Sequence, residues 1–525
     1  MTTGPTAPLA SSPAPKTLQT FDRRYANRVM LILMGIVMIV LYIEGMLTPS
    51  LYKIQSEFGI DAAQATLIIS VYAVSGVALS PVIGKLGDIH GKRKVLSAVM
   101  LCYAAAVSVT GFSPSFAFMI AARTVQGIGL TILPLGMSLM REEFPRELVP
   151  RAQGLLSAMF GVGFAISLPL GSLVSQDFGW RDTYHSAIPF VVLLTVMVIV
   201  FVRESEYRRP SVKVDYVGAA LLGGGLSGVV IALSQGETWG WNAPLTIGFA
   251  VVGLALFVPF LLYEARWKRQ GREPVVDNKL LAERNVAVTN IVLTVVGLGM
   301  YLALFTLIYQ FEYPAASGGF NPSFPTPDIL RAGLEIIPLA LSMTAIAVLA
   351  SFVVGWTGVK PLALLGAVVT AVGFYLVSLS GNLDQTLLTE VVIGAGIALL
   401  NASIINLLVL SVDPKDLGQA TAMNNVFRNI GGSVGAPIGG SLLATYLLTS
   451  GPYAGAVASH LAFQYAYWIA AAVTLVGGVA IVFGHEVIGG RRHAKYAHLP
   501  HVARGFGAAR PPAPEPSPAL PGRPG

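Results

Sequence analysis

Long apolar runs separated by short polar segments dominate the hydrophobic pattern of this chain. Each run extends over about 20 residues, the length that an α-helix needs to cross the hydrocarbon core of a bilayer. Glycine and proline inside the runs do not argue against helices, because membrane helices tolerate both. The pattern predicts an all-α polytopic membrane protein with fourteen spans, at residues 28–49, 63–84, 95–112, 116–139, 152–174, 184–202, 216–234, 244–263, 286–310, 330–355, 361–380, 387–411, 418–447 and 462–485.

Composition supports a membrane protein and excludes several other classes. Of the 525 residues, 54% are hydrophobic and only 12% are charged, against about 25% charged residues in soluble domains. The net charge of +7 does not indicate a nucleic-acid partner, because the basic residues lie between spans. The one cysteine, Cys102, excludes disulfides within the chain and a cysteine metal cluster. With no Walker loop or metal-ligand cluster either, we expect neither an enzyme nor a cofactor.

The distribution of basic residues predicts the orientation. With the N-terminus inside, and with residues at the very ends of spans counted with the adjoining loop, 29 of the 34 Lys and Arg residues fall in cytoplasmic loops or tails. Lys53, Arg181 and Arg331 fall outside, and Arg123 and Arg428 lie within spans. Because cytoplasmic loops carry an excess of Lys and Arg, this asymmetry predicts that both termini are cytoplasmic.

Two parts of the chain resemble each other at a nearly constant offset. Gly127-Ile-Gly-Leu130 recurs as Gly394-Ala-Gly-Ile397, and Pro169-Leu-Gly171 recurs as Pro437-Ile-Gly439. Duplicated halves around a midplane site are typical of alternating-access transporters. We therefore predict a 6 + 2 + 6 arrangement of spans. Its parts are a disordered cytoplasmic tail at 1–25, a six-helix bundle at 26–205, two inserted helices with flanking segments at 206–283, a second six-helix bundle at 284–488, and a disordered tail at 489–525.

The segment between predicted spans two and three has an unusual concentration of glycine and charge, Gly84-Lys-Leu-Gly-Asp-Ile-His-Gly-Lys-Arg-Lys-Val-Leu96. A positively charged stop between two helices would need neither the acid nor the spaced glycines. The pattern resembles the signature loop of the major facilitator superfamily. That resemblance implies a cytoplasmic gate in which Asp88 pairs across the helix interface and the glycines permit close approach. The gate residues are Gly84, Gly87, Asp88, Gly91, Lys92 and Arg93.

The second half has a reduced copy of this segment. Gly84-Lys-Leu-Gly87 matches Gly355-Trp-Thr-Gly358, but four residues are then missing, and with them the acid. We therefore expect Asp88→Asn to impair transport more than substitution of Thr357 or Lys360, measured as initial rates at equal expression. Equal sensitivity of the two segments would contradict a gate confined to the first half.

Three further motifs make the resemblance closest to the fourteen-helix drug/proton antiporter branch. They are Arg123-Thr-Val-Gln-Gly-Ile-Gly129 in span four, Trp180-Arg181 before span six, and Gly418 to Gly432 in span thirteen. Two features depart from the branch: Glu44-Gly-Met-Leu-Thr-Pro49 replaces the usual acid before Ala-Leu-Pro, and Ser167-Leu-Pro169-Leu-Gly171 replaces the span-five antiporter motif.

Glu44 and Arg123 are the candidate proton-coupling residues. At 1.5 Å per residue, Glu44 lies about 24 Å from the inner face and Arg123 about 12 Å from the outer face. Both are thus in the outer half of the membrane, where an unpaired charge is costly, and the resemblance places both spans at the central cavity. We expect the two side chains to pair. Glu44 then either carries the coupled proton or only satisfies Arg123.

Uncharged polar residues and one arginine are candidates for the substrate cavity. They are Tyr72, Gln126, Gln310, Asn401, Asn406, Asn425 and Arg428. Each of them could equally form a hydrogen bond between helices. The surrounding Met, Leu and aromatic residues favour hydrophobic or amphipathic substrates.

The sequence thus predicts a monomeric, proton-coupled exporter of hydrophobic or amphipathic compounds in the cell membrane, similar to multidrug antiporters. The alternative on the same fold is a transporter of lipids or lipid-like metabolites. A membrane sensor or scaffold without transport is the third reading, and the charged gate and the intramembrane charges argue against it.

Overall fold

The first part of the chain forms a helical bundle. The computed structural model describes residues 23–144, 148–204, 208, 213–272, 274–276, 278–412 and 417–485. The helices up to residue 201 are α1 (Arg23–Gly45), α2 (Leu51–Phe58), α3 (Ala62–Ala65), α4 (Leu67–His90), α5 (Lys92–Thr110), α6 (Phe116–Gln126), α7 (Ile132–Glu143), α8 (Val149–Asp177) and α9 (Trp180–Phe201). Within this bundle α1 packs against α8 and α9.

The remaining helices form an inserted group and a second bundle. The inserted helices are α10 (Tyr216–Trp239), α11 (Pro244–Ala255), α12 (Phe257–Arg269) and α13 (Asn278–Leu281). The second bundle contains α14 (Arg284–Glu312), α15 (Ile329–Glu335), α16 (Ile337–Thr357), α17 (Val359–Ser378), α18 (Leu383–Ser411), α19 (Leu417–Thr445) and α20 (His460–Phe483). Here α14 packs against α19 and α20, as α1 packs against α8 and α9.

These helices satisfy the physical requirement of a membrane interior. Because hydrocarbon offers no hydrogen-bond partners, the backbone of a spanning segment must satisfy itself. Among the described residues, twelve helical segments are long and apolar enough to span a membrane. Two further helices of 29 residues each, α8 and α19, coincide with predicted spans five and thirteen. The all-α fold predicted from the sequence is confirmed, while the count of fourteen spans stays a prediction.

Repeat-related positions adopt the same local structure. Ser115 caps α6 by accepting a hydrogen bond from the amide of Phe118, and Asn382 caps α18 in the same way through Gln385. Gly91 separates α4 from α5 with φ +104°, and Gly358 separates α16 from α17 with φ +88°. Both pairs are 267 residues apart, the offset of the repeat found in the sequence.

The structure of the segment 84–96 differs from the sequence prediction. It was expected to be a loop, but α4 continues through His90, Gly91 makes the turn, and α5 begins at Lys92. The charged residues need no loop here, because Lys92 at the start of α5 pairs with Asp88 near the end of α4 and with Glu142 on α7. The turn glycine of the second half, Gly358, corresponds to Gly91 and not to Gly87. α3 begins at Ala62 and α4 ends at His90, and α15 begins at Ile329 and α16 ends at Thr357, all at the same offset of 267. The expectation that four residues are missing from the second half is therefore wrong.

The inserted helices bridge the two bundles. α10 packs against α4 of the first bundle and against α19 of the second. α11 lies outside α10 and is largely exposed, with apolar side chains such as Leu245, Val251 and Leu254 on its surface. Such an apolar exterior suits contact with lipid. Nearly all of the tail predicted at 1–25, and the whole of the one at 489–525, lies outside the described residues.

We use "outer" for the side that the distribution of Lys and Arg assigns to the exterior. At this side the two bundles meet directly. The Tyr309 hydroxyl donates to Gln55 Oε1 at 2.8 Å, and the Ile329 amide donates to Gln176 Oε1 at 3.0 Å. The ring of Tyr52 packs edge-on against Tyr309 and Tyr313. The outer ends of the bundles are therefore closed against each other.

Candidate functional site

Breaks in three predicted spans lie around one cavity. α1 ends at Gly45, one residue after Glu44, and a short 3-10 turn containing Pro49 precedes α2. In span four a 3-10 turn at Gly127–Thr131 separates α6 from α7. In span ten Ile336 separates α15 from α16. Interrupted helices of this kind mark binding sites in transporters, because irregular backbone is tolerated where it lines a cavity.

The cavity lies between the two bundles and its wall is mostly apolar. The first bundle contributes residues of α1, α8 and the turn before α7, and the second contributes residues of α14, α16, α18, α19 and the α15–α16 break. The lining residues are Glu44, Leu130, Leu168, Val296, Gly297, Met300, Tyr301, Ala303, Leu304, Ile336, Leu339, Ala340, Met343, Thr344, Ile397, Asn401, Arg428 and Asn429. A few polar groups in an otherwise apolar wall are typical of small-molecule sites.

Glu44 connects the two bundles across this cavity. Its Oε1 accepts a hydrogen bond of 2.5 Å from the hydroxyl of Tyr301 on α14. Its Oε2 has no hydrogen-bond partner in the described part of the chain, although the side chain is only 8% exposed. Arg428 on α19 lies close enough to interact electrostatically with both Glu44 and Tyr301. Glu44, Tyr301 and Arg428 thus form one polar group shared by the two bundles.

The expected pairing of Glu44 with Arg123 is wrong in this conformation. Arg123 donates to the carbonyl of Ile68 and to Gln126 Oε1, both at 2.9 Å. Its guanidinium also lies 4.7 Å from the centre of the Tyr72 ring. These partners all belong to the first bundle, and they hold Arg123 behind the cavity wall. Arg123 therefore has a weaker electrostatic effect on Glu44 than Arg428 has.

Of the seven residues predicted for the cavity, Asn401 and Arg428 line it. Tyr72 packs against Arg123, and Gln126 donates to Thr110 Oγ1 at 2.5 Å. Gln310 accepts from the Tyr467 hydroxyl at 2.6 Å. Asn406 and Asn425 donate to backbone carbonyls of their own helices. The alternative reading, a hydrogen bond between helices, therefore holds for Gln126 and Gln310. Tyr72 makes a ring contact instead, and Asn406 and Asn425 bond within their own helices.

Tyr301 and Asn429 line the cavity but were not predicted from the sequence. Tyr301 stands in the apolar run of span nine, where a tyrosine usually indicates packing. Its exposure to the cavity depends on close contact between α14 and α19. A Cβ on Gly297 would lie 2.0 Å from the carbonyl oxygen of Arg428, and one on Gly431 would lie 1.9 Å from that of Thr294. Glycines at both faces let these backbones touch.

The predicted gate residues form contacts within the first bundle. Lys92 is 2% exposed and binds Asp88 at 3.0 Å and also Glu142 on α7. Glu204 accepts hydrogen bonds from the amides of Arg93 and Lys94 at the start of α5, and Arg93 also donates to the carbonyl of Ile199. The pairing of Asp88 described here is therefore within its own bundle, and pairing across the gate stays a prediction.

The glycines of the gate differ from one another. A Cβ on Gly87 would lie 2.8 Å from Leu135, and one on Gly91 would lie 2.3 Å from the Glu204 carboxylate. At Gly84 none of the described residues lies within 4 Å of this position. The close approach expected at Gly84 is therefore wrong for this conformation, whereas Gly87 and Gly91 do lie against neighbours.

Two bundles with interrupted helices around a shared cavity define a multi-pass membrane transporter and not an enzyme. The family model of the Major Facilitator Superfamily matches residues 33–435 and 313–513. The chain belongs to the major facilitator superfamily.

Curated relatives and solved structures agree with this assignment. The multidrug resistance protein Stp of Mycobacterium tuberculosis is 24% identical over 79% of this chain and 76% of its own length. The cephamycin export protein CmcT of Amycolatopsis lactamdurans is 24% identical over 81% of this chain and 86% of its own. The fold is similar to that of the xylose transporter XylE from E. coli, with a TM-score of 0.58 at 14% identity, covering 89% of this chain and 99% of that one.

Proposed function

We propose that this transporter exports hydrophobic or amphipathic compounds from the cell in exchange for protons, with both termini in the cytoplasm. The observation that carries the proposal is the Glu44 carboxylate, buried in an apolar cavity and bonded across the two bundles. Relatives named for multidrug resistance and antibiotic export support the direction and the substrate class.

Glu44 has the surroundings that a proton carrier requires. When ionised, Glu44 accepts a hydrogen bond from the Tyr301 hydroxyl and interacts electrostatically with Arg428. Both interactions compensate part of the free-energy cost of burying its charge. When protonated, it carries no charge and no longer needs Tyr301 as a donor. Protonation therefore changes the strength of a link between the bundles, which is the coupling that alternating access needs.

The unpartnered oxygen of Glu44 and that of Asn401 are the polar anchors for a substrate. Both residues line the cavity, and neither Glu44 Oε2 nor Asn401 Oδ1 has a hydrogen-bond partner among the described residues. A substrate with a cationic or hydrogen-bond-donating group satisfies these acceptors, while its apolar part contacts Met300, Leu304 and Met343. Substrate and proton then compete for Glu44, which makes the exchange obligatory.

Transport in inverted membrane vesicles tests the proposal. With an imposed pH gradient, acidic inside, lipophilic cations from a panel should dissipate the gradient in wild-type vesicles beyond the level of empty vesicles. Glu44→Gln should remove this effect. Glu237→Gln is the matched control, because Glu237 is exposed at the end of α10 and bonds Thr445 and Trp241.

Two results would contradict proton-coupled drug export. One is a wild-type protein whose gradient no compound in the panel dissipates. The other is a Glu44→Gln variant as active as wild type at equal expression. Fluorescent phospholipids moved by the same vesicles without any proton flux would instead favour the lipid transporter.

A further inference from the structure

The two inserted helices carry a pair of buried acids that the cavity does not use. Asp215 immediately precedes α10 and is 1% exposed, and Glu264 lies in α12 and is 0% exposed. Both are at the cytoplasmic end of the inserted pair in the predicted orientation. Acidic side chains in this position are normally exposed to water, so complete burial of both requires a physical explanation.

Each acid uses one carboxylate oxygen to fix the local backbone. Asp215 Oδ1 caps α10 by accepting from the Gly218 amide at 2.7 Å. Glu264 Oε2 accepts from the amides of Val275 at 2.8 Å and Val276 at 3.4 Å. Glu264 therefore ties α12 to the segment that leads into the second bundle.

The remaining oxygens of the two acids converge on one point. Glu264 Oε1 and Asp215 Oδ2 are buried and have no hydrogen-bond partner among the residues that the structure describes. A Cβ built on Gly218 would lie 2.4 Å from Glu264 Oε1 and 2.6 Å from Asp215 Oδ2. Glycine at this position leaves the room in which the two carboxylates face each other.

Two ionised carboxylates in this position would repel each other strongly because water cannot screen them. Of the described residues, Tyr263 on α12 interacts electrostatically with both acids, and Arg272 in the following segment interacts with Tyr263. Arg272 stacks on Trp267, with its guanidinium 4.4 Å from the ring centre. A proton between the two oxygens removes one charge and provides the missing hydrogen bond to both atoms.

We propose that Asp215 and Glu264 bind one shared proton and form a second proton site, separate from the cavity, on the inserted helices. The proton is covalently bonded to one carboxylate and donated to the other. With the proton bound, α10, α12 and the segment 274–276 are held together. Its loss to the cytoplasm leaves two facing charges and weakens that connection. This site assigns a role to the insertion that does not depend on Glu44.

Thermal unfolding of the purified protein tests the proposal from mildly acidic to mildly alkaline pH. Because the folded state retains the shared proton, the melting temperature of the wild type should fall as the pH rises. Glu264→Gln and Asp215→Asn each replace the proton by an amide donor and should reduce that slope. Glu237→Gln, at the other end of α10, should keep the wild-type slope.

Infrared spectroscopy on the folded wild type provides a second measurement if a variant does not fold. At neutral pH the difference spectrum between wild type and the foldable variant should contain the carbonyl stretch of a protonated carboxylic acid. Wild-type slopes in both amide variants, or no such band, would overturn the proposal. A slope that added sodium ions abolish would also overturn it, because the site would then bind a metal cation.

Discussion

At the residue scale, Glu44 lies next to the break that follows Gly45, and its hydrogen-bond donor belongs to the other bundle. The Tyr301 hydroxyl is 257 residues distant in sequence and 2.5 Å distant in space. A hydrogen bond to a charged group contributes about 1.5–3 kcal/mol. The Glu44–Tyr301 contact is therefore strong enough to influence which conformation of the transporter is populated.

We expect Tyr301→Phe to reduce gradient-driven transport by about tenfold or more, because about 1.4 kcal/mol corresponds to a factor of ten. Vesicle transport at matched expression is the measurement. Tyr375→Phe is the control, since the Tyr375 side chain on α17 is 53% exposed. A Tyr301→Phe variant with wild-type rates would show that the link between the bundles is dispensable.

The sequence predicted part of this site for a clear reason. A charged side chain in an apolar run is costly to bury unless it has a function or a partner. Glu44 and Arg428 were therefore recognisable from their positions in the sequence. The partners of these two residues were not recognisable, because they depend on how the helices pack. Arg123 has a carbonyl, an amide and an aromatic ring within its own bundle, and no pattern in the sequence distinguishes these from Glu44.

At the element scale, the contact between α14 and α19 determines where Tyr301 and Arg428 lie. Gly297, Gly431 and Gly435 each allow the backbone of one helix to touch the other. This contact is what the glycines of the span-thirteen motif provide. The spans themselves were predictable because length and hydropathy set them, whereas the extension of α4 to His90 was not, because paired charges at its end resemble a loop.

Gly297→Ala should separate α14 from α19, because the new Cβ would lie 2.0 Å from the Arg428 carbonyl oxygen. Overpacking of this kind typically costs about 1–3 kcal/mol, and we expect a lower melting temperature of the purified protein. Gly248→Ala in α11 has nothing within 4 Å of the added atom and should not lower it. Equal stability of the two variants would contradict the close contact.

At the scale of the whole molecule, the bundles are in contact at their outer ends and the cavity lies between them. Gly333 on α15 packs against α8, where an added Cβ would lie 1.8 Å from Ser172 Oγ and 3.0 Å from the Leu168 carbonyl oxygen. Gly440 on α19 similarly packs against Thr66 and Ala62. These contacts between helices of different bundles must separate if the cavity opens outward.

Gly333→Val should prevent this outer closure. In a Cys102→Ser background, the thiol introduced by Leu304→Cys in the cavity should be protected from a membrane-impermeant maleimide added outside. The Gly333→Val variant should expose it, whereas Gly248→Val should not. Protection unchanged by Gly333→Val would mean that the outer contacts do not control access to the cavity.

Proton release on substrate binding tests the central claim most directly, because it follows Glu44 without a membrane. Purified protein in weakly buffered detergent solution is mixed with a transported cation, and the pH is followed with an indicator dye. The account predicts that the wild type and Glu237→Gln release protons on binding, and that Glu44→Gln binds the compound without releasing any. Equal release from Glu44→Gln would contradict the assignment of the coupled proton to Glu44.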